Sequence, residues 1–300
     1  MRISIDDVSP LMSQTVSAFR IGVNDPTIHI TEESVWRSTF TPNGPATLHI
    51  SNWRSKRPLV ETYGDGAEWI AHNALDLLGH HDEIPAIHAV HHAVADAQKK
   101  HGDLRLGRSN TVYHELLHAV LAQRVTSIEA NRQWRNIVMR FGSPAPGPQP
   151  ELRTPPSPID LASMAYHAFH EFGIERKRAD ALRNVARHFD YLTRLSTSNS
   201  PAHVATEQLQ AIPGIGVWTA AVAGGLAFGD PDALQIGDFH VKNTVAFALE
   251  GRIRGTDEEM VATLQPYRGQ RHRVVRWLQL NGVRAPARGP RRRIVSITRL

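Results

Sequence analysis

Residues 209–243 read LQAIPGIGVWTAAVAGGLAFGDPDALQIGDFHVKN, and this stretch decides the fold. Ala205, Leu209 and Ile212 recur at helical spacing and stop at Pro213. Gly214 and Gly216 permit a tight turn with positive φ and a close approach of a ligand to the backbone. Val217, Ala220, Ala221 and Gly224 give the following helix a small-residue face that another helix can approach. The stretch therefore predicts a helix, a Pro-Gly-Ile-Gly hairpin and a second helix. The first N–H groups of that second helix lack internal partners and carry the positive end of its dipole, so they suit an anion such as a phosphate. A Gly-rich turn of this kind joins many ordinary helix pairs, and alone it selects no function.

One helix and one loop later comes Gly237-Asp238, directly before Phe239. Aspartate there is a strong N-cap. The same placement suits catalysis, because N–H groups and the helix dipole stabilise a fixed negative charge. Such a carboxylate can stabilise a positive charge that develops beside it. Capping and catalysis are compatible readings of Asp238.

Ile212-Pro213-Gly214-Ile215-Gly216, then Trp218-Thr219-Ala220, then Gly237-Asp238, resembles the helix-hairpin-helix DNA glycosylase superfamily. Within it, the stretch is most similar to the 3-methyladenine DNA glycosylase II family. The resemblance is fullest over residues 205–245 and extends to 111–142, 172–188 and 264–280. It implies a mainly α protein, α+β overall. A small N-terminal sheet domain would occupy residues 1–100. Two helical domains would follow, 101–230 with the helix-hairpin-helix at 204–228, and 231–283 with the catalytic aspartate, then an Arg-rich tail, 284–300.

The resemblance places the superfamily's catalytic aspartate on Asp238. Relatives that also cut the strand carry a lysine where this chain has Trp218, so Trp218 implies a monofunctional enzyme that leaves an abasic site. Trp218 also offers a π face to a flipped base, with Tyr113 and Trp277 as further pocket candidates; core packing is the plain alternative for each. Amides of Gly214, Gly216 and Trp218 would face DNA phosphates, with Thr219 beside them, a contact that carries no base sequence information. Backbone carbonyls matching Gln210, Ile212 and Ile215 would hold a monovalent cation, Na+ or K+. The turn at Gln123 would insert a side chain into the minor groove where a nucleotide has flipped. Arg124 stands there, where many relatives have an aliphatic residue; an ordinary surface arginine is the alternative.

N3- or N7-alkylated purines are already cationic and depart without a general acid, whereas neutral bases need protonation or tight polar recognition. The sequence offers no dedicated acid, although His240 sits two residues past Asp238, and this favours alkylated purines such as 3-methyladenine and 7-methylguanine. Two alternatives stay open: a glycosylase for another lesion such as a deaminated base, and a non-catalytic protein that uses the hairpin to bind DNA.

Composition agrees with such a partner. The chain has 300 residues, a net charge of +5 and 41% hydrophobic residues, enough for packed domains. The charge is uneven: −4 over residues 1–100, zero over 101–250 and +9 over 251–300. A basic end beside a phosphate-binding hairpin suggests double-stranded DNA. The chain has no cysteine, which excludes disulfides, thiolate-held zinc and an iron–sulfur cluster. No apolar run approaches membrane-spanning length, and a cytoplasmic monomer without cofactor is expected, nucleoid-associated if bacterial.

Elsewhere, 27–31 and 46–50 alternate like strands, with Pro42-Asn43-Gly44-Pro45 as a turn between them. Helices are expected at 68–78, 84–99, 111–123, 127–140 with Ser127 as N-cap, 159–172, 175–195, 239–249, 257–264 and 266–280. Residues 143–158 are Pro-rich and read as a linker. His80, His81, His88, His91 and His92 cluster, and a shared helix face could bring His88 and His92 onto one metal, but no carboxylate or cysteine sits at ligand spacing, and ordinary half-exposed helix residues are the favoured reading.

Overall fold

A computed structural model describes residues 2–4, 12–53 and 58–286. The Arg291-Arg292-Arg293 run and the strand suggested at 294–297 lie outside those residues. Among the described residues, one antiparallel sheet contains β1 (Arg2–Ser4), β2 (Ile28–Ile30), β3 (Ser34–Thr41), β4 (Gly44–Ser51) and β5 (Leu59–Tyr63). Their order is β1-β5-β4-β3-β2. The turn residues Pro42-Asn43 join β3 to β4, with Thr41 opposite Gly44 and Ser34 opposite Ser51.

The sequence reading found β2 and β4 and missed β3 between them. Apolar alternation is hidden there, because Arg37, Ser38, Thr39 and Thr41 are all buried. Arg37 Nη2 lies 2.6 Å from Glu115 Oε1, so a charged pair ties the sheet to the helices. Burial pushes the Glu115 carboxyl above its ordinary range, against the pull of Arg37. Arg37→Met would leave Glu115 buried without its partner and should cost about 3–5 kcal/mol, read as a lower urea midpoint. Arg37→Met with Glu115→Leu should recover most of that loss.

Met12, Val16, Leu48, Ile50, Val60 and Leu77 form the core under the sheet. A second core surrounds the helix Val112–Leu121, which packs against Ser127–Phe141, Arg176–Arg187 and Val217–Ala227. A third joins Val94 and Leu104 to Val241, Val245, Val274 and Trp277. The helix His92–His101, expected to belong to the N-terminal domain, thus packs with the last helices.

Several expected elements are divided. Residues 83–90 are irregular, and the helix expected at 84–99 begins only at His92. The Gln98 side chain donates to the Ile87 carbonyl at 3.1 Å, holding that segment in an open path. His88 and His92 therefore do not share a helix. The helix expected at 175–195 is two, Arg176–Arg187 and Phe189–Ser196, parted at His188, whose ring bonds the Asn184 carbonyl. Residues 159–172 likewise give Pro158–Ser163 and His167–His170. Thr126, not Ser127, caps Ser127–Phe141 by accepting from the Glu129 N–H. The Pro-rich stretch is no loose linker. Pro144 bridges Arg153, and Leu152 and Thr154 are buried.

Candidate active site

The helix Ala202–Gln208, a tight turn Leu209–Ala211 and the helix Val217–Ala227 flank the hairpin, as the sequence indicates. Gly214 has φ +94°, and a Cβ there would sit 2.7 Å from the Ala181 Cβ, so both backbone and space require glycine. Gly216 is different. Its φ is −97° and its ψ 179°, extended backbone that any residue adopts. A Cβ on it would meet nothing within 4 Å. The expected positive φ holds at Gly214 alone, and Gly216 leaves open space at the head of the following helix.

Two amides hold the hairpin. Gln123 Nε2 donates to the Gly214 carbonyl at 3.0 Å and to Thr219 Oγ1 at 2.9 Å. Asn184 Nδ2 donates to the Pro213 carbonyl at 3.1 Å. Thr219, expected beside DNA, is buried and belongs to this internal bracing. Gln123 likewise spends its amide N–H groups on the hairpin, so the turn after Val112–Leu121 and the hairpin stand side by side. Arg178, itself buried, donates to the Leu121 carbonyl at 2.9 Å and to Gln133 Oε1 at 2.7 Å, anchoring that helix end. Arg124 follows Gln123 on the exposed side with φ +59°. This left-handed conformation costs a non-glycine residue about 1–2 kcal/mol.

Asp238 caps the helix Phe239–Glu250. Its Oδ1 accepts from the His240 N–H at 2.7 Å and the Val241 N–H at 2.9 Å. Its Oδ2 accepts from the Trp218 indole N–H at 3.0 Å. A carboxylate has about four acceptor directions, so three are filled and one remains. The indole bond ties the hairpin helix to the capped helix. It makes Trp218 a positioning residue for Asp238, a role the sequence reading did not give it.

The loop before Asp238 is held from the other side. Gly237, at φ +92°, donates its N–H to Asp257 Oδ1 at 2.8 Å, and Lys242 Nζ donates to Asp257 Oδ2 at 2.8 Å. Burial acts to raise the Asp257 pKa, but Lys242 and the Gly237 N–H outweigh it and leave it lowered. Asp257 and Lys242 escaped the sequence reading; the only signal for them in the sequence is the position of Lys242, one turn beyond Asp238. Val217, Ile236 and Phe239 stand exposed near the carboxylate as an apolar rim.

Two pocket candidates are corrected. Tyr113 is buried, donates its hydroxyl to the Pro156 carbonyl at 3.0 Å and packs edge-on against Phe189. Trp277 is wholly buried in the third core. Both side chains are taken up in core packing, the plain alternative to the pocket role that the resemblance implied. The histidines disperse: His81 bonds Asp76, His91 bonds Tyr267 and His92 pairs with Asp96. Among the described residues no group of three or more His, Asp or Glu could hold a metal.

No known protein family and no curated protein sequence matches the chain. Solved structures do match. A 3-methyladenine DNA glycosylase from Archaeoglobus fulgidus superposes with a TM-score of 0.71 at 18% identity, covering 93% of this chain and 97% of that one. The chain has the fold of the helix-hairpin-helix DNA glycosylases. A structure described as MBOgg1 in complex with a low-affinity DNA ligand gives a TM-score of 0.67 at 13% identity, covering 92% and 93% of the two chains. The Schizosaccharomyces pombe 3-methyladenine DNA glycosylase Mag1, in complex with abasic DNA, gives 0.51 at 19% identity, covering 63% and 91%. In this glycosylase fold, mainly α with an N-terminal sheet, the hairpin and Asp238 occupy neighbouring positions, joined through Trp218.

Proposed function

We propose that the protein is a monofunctional DNA glycosylase of base excision repair, acting as a monomer on duplex DNA. It would flip a damaged base and hydrolyse its N-glycosidic bond. The observation that carries this reading is Asp238, whose carboxylate is fixed by three N–H donors with one acceptor direction left open. As the C1′–N bond breaks, its electron pair leaves with the base and positive charge spreads over the deoxyribose. Asp238 stabilises that charge and orients the water that adds to C1′. Fixed donors cost no reorganisation at that moment. The hairpin amides supply a phosphate contact, and the apolar rim supplies surface that a bound duplex would cover.

Strand cleavage by a Schiff base needs a free amine. Trp218 provides none, and the Lys242 amine is engaged by Asp257. The strand should therefore stay intact until alkali is added, and borohydride should trap no covalent adduct. A nicked strand, or a trapped adduct, would overturn the monofunctional reading.

Trp218→Phe removes one charge-assisted hydrogen bond, of about 1.5–3 kcal/mol. Single-turnover release should fall about tenfold or more with duplex affinity preserved. An unchanged rate would show that the carboxylate needs no indole. Arg124, at the exposed turn, is proposed as the wedge into the minor groove. Arg124→Ala should lower base release about tenfold while nonspecific affinity drops no more than about threefold, since one phosphate contact is a small share of duplex binding. Equal losses would reduce Arg124 to a phosphate contact.

The Ile212 carbonyl accepts the Ile215 N–H at 3.0 Å and keeps one lone pair, and the Gln210 and Ile215 carbonyls accept no backbone N–H among the described residues. Hard oxygen donors of this kind fit Na+ or K+, which would link the hairpin to a phosphate.

The lesion follows from the leaving group. A cationic alkylated purine, the class the sequence favours, departs unaided; a neutral base needs its departing charge stabilised.

A further inference from the structure

The loop that delivers Asp238 has little packing of its own. Ile236 and Gly237 are exposed, and a Cβ on Gly237 would meet nothing within 4 Å. Glycine visits positive and negative φ with similar ease, so sterics do not hold Gly237 at φ +92°. Hydrogen bonds hold it instead. Within the loop, the Leu234 carbonyl accepts the Ile236 N–H at 2.9 Å and the Gln235 carbonyl accepts the Asp238 N–H at 3.1 Å. The Gly237 N–H reaches out of the loop to Asp257 Oδ1, at 2.8 Å.

Asp257 opens the helix Asp257–Thr263 but does not cap it. Thr256 takes that role: its side chain accepts the Glu259 N–H, and the Glu259 side chain accepts the Thr256 N–H in return. The Asp257 carboxylate turns away from its own helix and spends both oxygens elsewhere, Oδ1 on Gly237 and Oδ2 on Lys242 Nζ at 2.8 Å. A second bracket runs beside it. Buried Asn243 donates Nδ2 to the Phe239 carbonyl at 2.6 Å and accepts the Gly255 N–H on Oδ1 at 3.1 Å. The start of Asp257–Thr263 is therefore fixed against the helix that Asp238 caps, which makes Asp257 a firm anchor. Burial opposes its ionisation, but Lys242 and the Gly237 N–H outweigh burial, so the acceptor is charged at neutral pH.

We infer that Asp257 is a positioning residue for base release: by holding the Gly237 N–H it fixes the direction in which Asp238 presents its open acceptor position. This rests on the glycosylase reading. If Gly237 relaxed from positive φ, the peptide between it and Asp238 would turn. The bonds from the His240 and Val241 N–H groups and from the Trp218 indole would then lengthen together. A displacement of about 1 Å in a reacting group can cost as much as a hundredfold in rate. Lys242 has the complementary task. A lone carboxylate beside a duplex would repel phosphates, and the Lys242 amine balances that charge. The pair therefore separates rate from affinity. Losing Asp257 loosens the loop, but it also removes a negative charge and releases a cation toward DNA. A residue that merely supported the fold would lower both quantities.

Amide hydrogen exchange of the free protein, followed by NMR, tests the positioning without the chemistry. Asp257→Ala should speed exchange about fivefold or more at Gly237, and also at His240 and Val241, whose N–H groups Asp238 accepts. Asp257→Asn keeps an oxygen for the Gly237 N–H and should slow all three again. Faster exchange at Gly237 alone, or at none of the three, overturns the inference. Single-turnover release, on a duplex from which the wild type frees a base, then reads the consequence. Asp257→Ala should slow release about tenfold or more, with duplex affinity equal to the wild type's or up to about threefold tighter. Asp257→Asn should recover most of the rate. An unchanged rate in Asp257→Ala, or equal losses of rate and affinity, overturns the role of Asp257 and leaves the glycosylase reading standing. Release of no base by the wild type overturns the glycosylase reading, whereas the exchange rates still decide whether Asp257 positions Asp238.

Discussion

Asp238→Asn should abolish measurable base release while the protein stays folded and bound to duplex DNA. Asparagine caps a helix as well as aspartate does, so the bonds to the His240 and Val241 N–H groups can persist. The substitution removes the negative charge, and the new NH2 group faces the Trp218 N–H without accepting from it. Loss of the charge that stabilises the sugar cation should cost about a thousandfold or more in rate. Stability should change by about 1 kcal/mol at most, the cost of one lost hydrogen bond. Retained turnover would remove Asp238 from the chemistry. A collapse in stability would make it a structural cap first.

The second large effect is expected at the hairpin, where two glycines separate folding from binding. Gly214→Val places a β-branched residue at φ +94° and its Cβ 2.7 Å from Ala181 Cβ. Left-handed strain and overpacking together should cost about 3–5 kcal/mol, seen as a lower urea midpoint, with duplex affinity lost alongside. Gly216→Ala adds a Cβ in open space on extended backbone, so stability should stay within about 0.5 kcal/mol. Its methyl group would stand where a phosphate meets the helix N–H groups, and duplex affinity should drop about fivefold or more. Unchanged affinity in Gly216→Ala would take the hairpin out of the interface.

The hairpin and the helix start at Asp238 were legible because turn, small-residue face and cap are local signals, written within residues 209–243. What was illegible depended on distant partners. β3 is disguised by an arginine that is buried only because Glu115 meets it. Tyr113 and Trp277 read as pocket aromatics, and packing against Phe189 and the third core claims them. The bonds from Trp218 to Asp238 and from Gly237 to Asp257 each span twenty residues, beyond any periodicity.

The most direct test is mass spectrometry of the bases freed when the purified protein meets duplexes carrying alkylated, deaminated or oxidised purines. The expected result is release of at least one damaged base with the strand left intact and alkali-labile. Tight binding to these duplexes with no base released from any of them would contradict a glycosylase and leave a DNA-binding protein.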